Sequence, residues 1–175
     1  MWRQDTKSAN KLRCDKMLSV EIVAIGKLGQ PFLKDGCEEY IKRTRGFYNI
    51  KVIEVKEGKA SLSDAAAEHK ALLSEEKGLL AALGKNERRV AALAVEGERV
   101  SSNKFADLLD EEQGRGGGLV FVIGGSLGLS DGIKKRADML ISLSDMTFTH
   151  QFSRLILLEQ IYRAATINNR MKYHK

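Results

Sequence analysis

Five consecutive apolar residues, Leu119-Val120-Phe121-Val122-Ile123, run directly into a pair of glycines, Gly124 and Gly125. A strand with one wet face alternates apolar and polar side chains, so an unbroken run this short suits a strand covered on both faces. Strands of that kind belong to parallel sheets, in which helices return the chain and shield each face. The flanking sequence supplies both kinds of element. Leu18–Ile25 reads as a strand closed by the turn formers Gly26 and Gly29, and Pro31 opens a helix to about Arg45. Residues 50–55 give a second strand. After it Leu62, Ala65, Ala66, His69, Leu72, Leu73, Leu79, Leu80 and Leu83 recur at helical spacing, with Ser61 as N-cap and His69 on the apolar face. A strand at 89–95, a helix at 102–111 and a glycine-rich linker at 114–118 lead to the central run. A short helix at 131–138, a strand at 139–143 and a helix at 151–168 complete the pattern. Strand and helix in alternation predict an α/β domain with a largely parallel sheet.

At 175 residues the chain fits a single domain, and 43% hydrophobic residues with one proline can fill a core. The longest apolar runs are far too short to span a bilayer, and the first residues lack an apolar signal core. Cys14 and Cys37 match neither a disulfide framework nor a zinc spacing, so a reducing cytoplasm and no bound metal are expected. The net charge of +6 invites a nucleic-acid partner. Half of it lies in residues 1–16, where five basic side chains face Asp5 and Asp15. That stretch is polar and without periodicity. It reads as a flexible extension ahead of Met17, with residues 17–175 forming the folded domain.

Ligands of open α/β sheets bind beyond the carboxyl ends of the strands. Here one end carries Gly124-Gly125-Ser126-Leu127-Gly128, which is neither the phosphate loop G-x-x-x-x-G-K-[ST] nor the dinucleotide fingerprint. Paired glycines let a backbone approach a ligand closely, although such a turn is more often simply tight. The other end, from Ser142 to His150, offers small hydroxyls, backbone groups and the apolar Met146 and Phe148. Thr149 there is equally a helix N-cap. In the last helix Phe152, Leu155, Ile156, Leu157, Leu158, Ile161 and Ala165 cover most of the circumference. Packing on a second copy would bury such a helix, so a dimer is expected. Arg154, Glu159 and Arg163 interrupt the apolar surface; the last two, at i,i+4, also make an ordinary surface ion pair. The tail from Asn169 to Lys175 is basic and ends with Tyr173 and His174, suited to stacking and to proton transfer.

Three ordered stretches, FVIGGSLGLS, SLSDMTFTHQFSRLILLEQIYRA and the closing KYHK, resemble the bacterial pseudouridine-N3 methyltransferases of large-subunit ribosomal RNA. That family belongs to the SPOUT class, and the similarity extends more weakly back to Met17. It implies a C-terminal trefoil knot, which topology rules alone would not suggest. It also implies a homodimer with S-adenosylmethionine (SAM) held in the knot beside the partner subunit. Matched by motif, the SAM pocket would comprise Leu93, Gly124, Gly125 and the loop Ser144, Asp145, Met146, Thr147, Phe148 and Thr149. Arg154, Glu159, Arg163, Tyr173 and His174 would face RNA, with His174 as proton acceptor and Arg163 opposite the developing anion. The implied target is a pseudouridine in helix 69, methylated on the assembled ribosome. Another RNA such as tRNA, or a non-catalytic ribosome-binding role, stands as the alternative. Two departures from the family pattern stand out. The run after the third strand is Leu93-Ala94-Val95-Glu96-Gly97-Glu98 rather than L-D-E-x-G-K, and Thr149 replaces a proline.

Overall fold

The computed structural model describes residues 17–58, 64–85 and 88–173. Ten elements follow one another: β1 (Leu18–Ile25), α1 (Pro31–Thr44), β2 (Tyr48–Val55), α2 (Ala65–Leu83), β3 (Arg89–Arg99), α3 (Ser102–Gly114), β4 (Gly118–Ile123), α4 (Asp131–Arg136), β5 (Met139–Ser142) and α5 (His150–Asn168). The five strands form one sheet in the order β2-β1-β4-β3-β5, and every pairing is parallel. All six residues of β4 are buried.

The order of the strands explains how the helices divide. Steps from β1 to β2 and from β3 to β4 run one way across the sheet; steps from β2 to β3 and from β4 to β5 run the other way. Right-handed crossovers therefore send α1 and α3 to one face and α2 and α4 to the opposite face. Side-chain alternation along the strands follows suit. Val20, Ile22, Ala24, Leu119 and Phe121 pack with Cys37 of α1, Phe105 and Leu109 of α3, and Leu157 and Ile161 of α5. Val23, Ile25, Val120 and Val122 pack with Leu79 and Leu83 of α2 and Ile133 of α4. Phe105 and Phe121 lie with ring centroids 5.6 Å apart. Helix α5, which no strand follows among the described residues, fills the space between α1 and α3.

Several boundaries differ from the sequence expectation, each for a visible reason. The linker expected at 114–118 shrinks to three residues, because Gly114 still belongs to α3 and Gly118 already pairs with Ser19. Helix α4 stops at Arg136; Asp138 leaves it to accept a hydrogen bond from the Val90 backbone at 2.7 Å. Helix α2 starts at Ala65 with Asp64 as its cap, the carboxylate accepting from the Ala66 backbone at 2.9 Å. Ser61 and Leu62 lie outside the described residues. The buried stripe of α2 is Ala71, Glu75, Leu79 and Leu83, whereas Leu73, Leu80 and His69 are exposed. The leucine-rich face thus points partly to solvent, and a carboxylate takes a core position.

Candidate active site

Strand β4 is followed by α4 on one face, while its neighbour β3 is followed by α3 on the other. Such a switch point opens a crevice at the carboxyl ends. A pocket occupies it. Leu93 of β3, Ile123 of β4 and Ile141 of β5 lie beneath, the turn 124–129 forms one wall, and Leu143, Ser144, Met146, Thr147 and Phe148 form the other. Glu96 and Lys134 face each other at the rim, and His150 and Ser153 of α5 complete the lining.

The glycine turn is built tightly. Gly128 adopts φ +78° and donates its N–H to the Gly125 carbonyl at 3.1 Å. A side chain on Gly124 would strike the Gly128 carbonyl, and one on Gly125 would meet Ile25 and Glu75. The room left by both missing Cβ atoms is therefore filled by the protein itself. In the opposite loop the Ser142 hydroxyl donates to the Ser144 carbonyl, and the Ser144 hydroxyl accepts from the Met146 backbone, both at 3.0 Å. Thr149 caps α5 by accepting from the Phe152 backbone at 3.3 Å.

Of the cofactor residues expected from sequence, Leu93, Gly124, Gly125, Ser144, Met146, Thr147 and Phe148 converge on this pocket. Asp145 and Thr149 do not line it. The Asp145 side chain is exposed and pairs with Arg99 at 2.6 Å. Thr149 faces an adjoining groove with Phe32, Phe148 and Phe152.

Glu96, in the run that departs from the family pattern and not among the site residues expected from sequence, also lines the pocket. Both Leu93 and Glu98 register against Ile141, so residues 94–97 are extra to the β3–β5 register, and Ala94, Val95 and Glu96 turn toward the pocket while Gly97 stays against the β5 backbone. The extrusion depends on a neighbouring strand, which is why a strand ending at 95 was expected. A hydrogen bond from Lys134 holds the Glu96 carboxyl below its ordinary range. His150 was also missed, although it stands in the same run as Phe148. Its Nε2 is buried without a hydrogen-bond partner and packs over Gly26, whose own φ is +78°.

The expected RNA-facing residues divide into two groups. Glu159 and Arg163, from the second half of α5, form one cluster with Tyr173. The Arg163 guanidinium donates twice to Glu159, at 3.0 and 2.6 Å, and lies 5.0 Å from the Tyr173 ring centroid. The Tyr173 hydroxyl donates to Glu159 at 3.3 Å, and its ring meets Tyr162 edge-on at 4.9 Å. Burial, with Tyr40 and Glu159 nearby, pushes the Tyr173 phenol up to about 12. Arg154 is the exception. It is 1% exposed and donates to Glu54 at 2.6 Å and to the Gly26 carbonyl at 2.8 Å, so it is a buried tie rather than a surface contact. His174 lies outside the described residues. Glu159 and Arg163 stand nine and thirteen residues beyond His150 on the same helix, a rise of about 14 to 20 Å. One chain does not bring cluster and pocket together.

Comparison with known proteins agrees with this architecture. The family model described as "Predicted SPOUT methyltransferase" matches residues 18–174. The chain belongs to the SPOUT methyltransferase family. Its relatives include proteins named "Ribosomal RNA large subunit methyltransferase H". The one from Streptococcus thermophilus (strain CNRZ 1066) is 44% identical over 160 residues, covering 90% of this chain and 100% of the relative. The protein of that name from Lactococcus lactis subsp. cremoris (strain SK11) is 41% identical over 159 residues, with the same coverage. Among solved structures, the "Probable Methyltransferase from Bordetella pertussis Tohama I" aligns with TM-score 0.52 at 17% identity, covering 83% of this chain and 93% of its own. TrmJ from Z. mobilis ZM4 aligns with TM-score 0.51 at 12% identity, covering 86% and 70%. The structural matches speak to the SPOUT fold. The sequence matches identify this methyltransferase's family.

Proposed function

We propose that this SPOUT methyltransferase transfers a methyl group from SAM to N3 of a pseudouridine in helix 69 of large-subunit ribosomal RNA, on the assembled ribosome. The observation that carries the proposal is the 44% identity to a ribosomal RNA large subunit methyltransferase along that relative's entire length. The pocket suits the donor. Apolar side chains of Leu93, Ile123, Met146 and Phe148 can sandwich a flat base, and main-chain groups of 124–129 and 143–148 can fix its edges. Both loops lining one pocket is also what the family's trefoil knot would require. When bound, SAM supplies an electrophilic methyl group.

The acceptor nitrogen must lose its proton as the methyl arrives. Arg163, held charged by Glu159, is suited to steady the anion that develops on the base. Tyr173, with its phenol pushed to about 12, stays protonated and serves as a stacking and hydrogen-bonding group. We assign the proton to His174. Because pocket and cluster are separated along α5, we propose a homodimer in which the tail cluster of one copy completes the pocket of the other. Phe32, Met146 and Phe152 are 62%, 67% and 40% exposed, and a second copy would cover them. Residues 17–175 would form this domain, with 1–16 as an extension. No helix of the described residues is long and apolar enough to cross a membrane; the proposed ribosomal substrate would place the reaction in the cytoplasm.

The test is complementation. A pocket variant, Gly124→Val, and a tail variant, Arg163→Ala, should each be inactive in transferring labelled methyl to ribosomes that lack the modification. Mixed, they should regain about a quarter to a half of the activity, because a heterodimer keeps one intact composite site. No recovery on mixing would reject the composite site, and label found only on tRNA would replace the substrate.

A further inference from the structure

Behind the glycine turn lies a carboxyl group that the proposed chemistry does not use. Glu75, from the middle of α2, is 2% exposed. Its Oε1 accepts the Gly58 N–H at 2.9 Å, just past the end of β2. Its Oε2 is buried and has no hydrogen-bond partner. Among the described residues it forms no salt bridge, and the nearest charge influencing it is another acid, Glu57. An isolated carboxylate in such a place is costly, and nothing in packing α2 requires one. Leu79 and Leu83 on the same stripe show what an ordinary core position holds.

The neighbour of the unpartnered oxygen gives the reason. A Cβ on Gly125 would stand 3.0 and 3.1 Å from the two Glu75 oxygens and 2.9 Å from Ile25 Cγ2. Gly125 is therefore a glycine because its back rests on Glu75 and Ile25, and φ does not demand it. The front of the same turn lines the pocket. Glu75 thus holds the chain just past β2 with one oxygen and backs the donor-side turn with both. Moving either contact would move the pocket wall.

We infer that Glu75 is a positioning residue: its carboxyl seats the Gly124–Gly125 turn and so sets the affinity of the pocket for the methyl donor. The inference rests on the SAM reading of the pocket, but the seating itself can be measured without SAM. Burial raises the Glu75 pKa, which favours the protonated form. A protonated carboxyl keeps the Gly58 contact through its carbonyl oxygen. Gln keeps that acceptor and the planar head group behind the turn; Met fills the volume and offers Gly58 no comparable acceptor.

The experiment compares wild type, Glu75→Gln and Glu75→Met as full-length proteins. SAM affinity is read by calorimetry, KM and kcat by methyl transfer to ribosomes, and amide hydrogen exchange across residues 124–128 without SAM. Glu75→Met should weaken SAM binding tenfold or more, leave kcat at saturating SAM within about twofold, and speed exchange in the turn. Glu75→Gln should stay within about threefold of wild type in every readout. Unchanged affinity in the Met variant, equal losses in both variants, or a fall in kcat with KM unchanged would each overturn the inference. If wild type itself binds no SAM, the donor reading fails, and the exchange rates decide the seating on their own: unchanged rates in Glu75→Met overturn it. Should Glu75→Met not fold, Gly125→Ala presses on the same contact from the turn side. It must then weaken SAM binding as strongly, or the inference falls.

Discussion

Arg154 and Glu54, one hundred residues apart in sequence, meet at 2.6 Å where α5 passes the end of β2. The same guanidinium holds the Gly26 carbonyl, so a single side chain fixes the start of α5 to two strand ends. Removing it would strand a buried carbonyl and leave Glu54, about a third exposed, to water. Arg154→Met should cost about 2–4 kcal/mol in urea unfolding. Methyl transfer per folded molecule should fall by less than about threefold. A loss of two orders of magnitude in a folded variant would put Arg154 back among the residues that touch RNA.

Tyr173 carries a second expectation. Its phenol is raised from 10.0 to about 12, so the folded protein binds this proton more tightly than the unfolded chain. The stability that comes from this is fully present below pH 10 and lost as the pH rises towards 12. Spectrophotometric titration of wild type against Tyr173→Phe should show one fewer phenol ionising, and only above about pH 11. The pH–rate profile below pH 10 should keep its shape in Tyr173→Phe. An ionisation near 8 or 9 that vanishes with the substitution would make Tyr173 a proton acceptor after all.

For Glu75 the sign runs the same way at lower pH. Its folded pKa is raised above 4.5 by burial, with Glu57 contributing, so native stability falls as the pH climbs through that raised value. Gln at this position has no proton to lose. Glu75→Gln should therefore melt higher than wild type at pH 8, and the two should converge towards pH 4. A gap that widens on acidification would contradict a raised pKa.

Gly97 faces a steric constraint. A Cβ there would lie 2.6 Å from the Ile141 amide nitrogen and 2.7 Å from the Leu140 carbonyl carbon. Gly97→Ala should separate β3 from β5 locally and cost about 1–3 kcal/mol. Gly46→Ala, where a Cβ meets nothing within 4 Å, is the matched control and should change stability little. Equal melting temperatures for the two variants would show that the strands can part freely.

The sheet was legible in the sequence because its signals are local. The run at 119–123 needs helices on both faces and received them, and each strand expected from alternation or β-branched content exists. What escaped depends on partners distant in the chain. The extrusion of 94–97 exists only because Leu93 and Glu98 compete for Ile141. The inner face of α2 was misjudged because leucines were counted, whereas Glu75 on that face accepts the distant Gly58 N–H. The motif resemblance named two loops that the fold brings to one pocket, yet it could not separate Arg154 from its helix neighbours. Burial, visible only in three dimensions, makes that distinction.

Helix α5 begins at the pocket, with His150, and carries the Glu159–Arg163 pair in its second half. A packed α-helix does not fold back on itself, so its two ends are held apart as firmly as the ends of a ruler. On the shared-site reading, a solitary copy could hold the methyl donor and still be unable to spend it. Dilution or a failed pairing would then silence the protein without unfolding it, and modification of RNA would report the encounter of two finished chains.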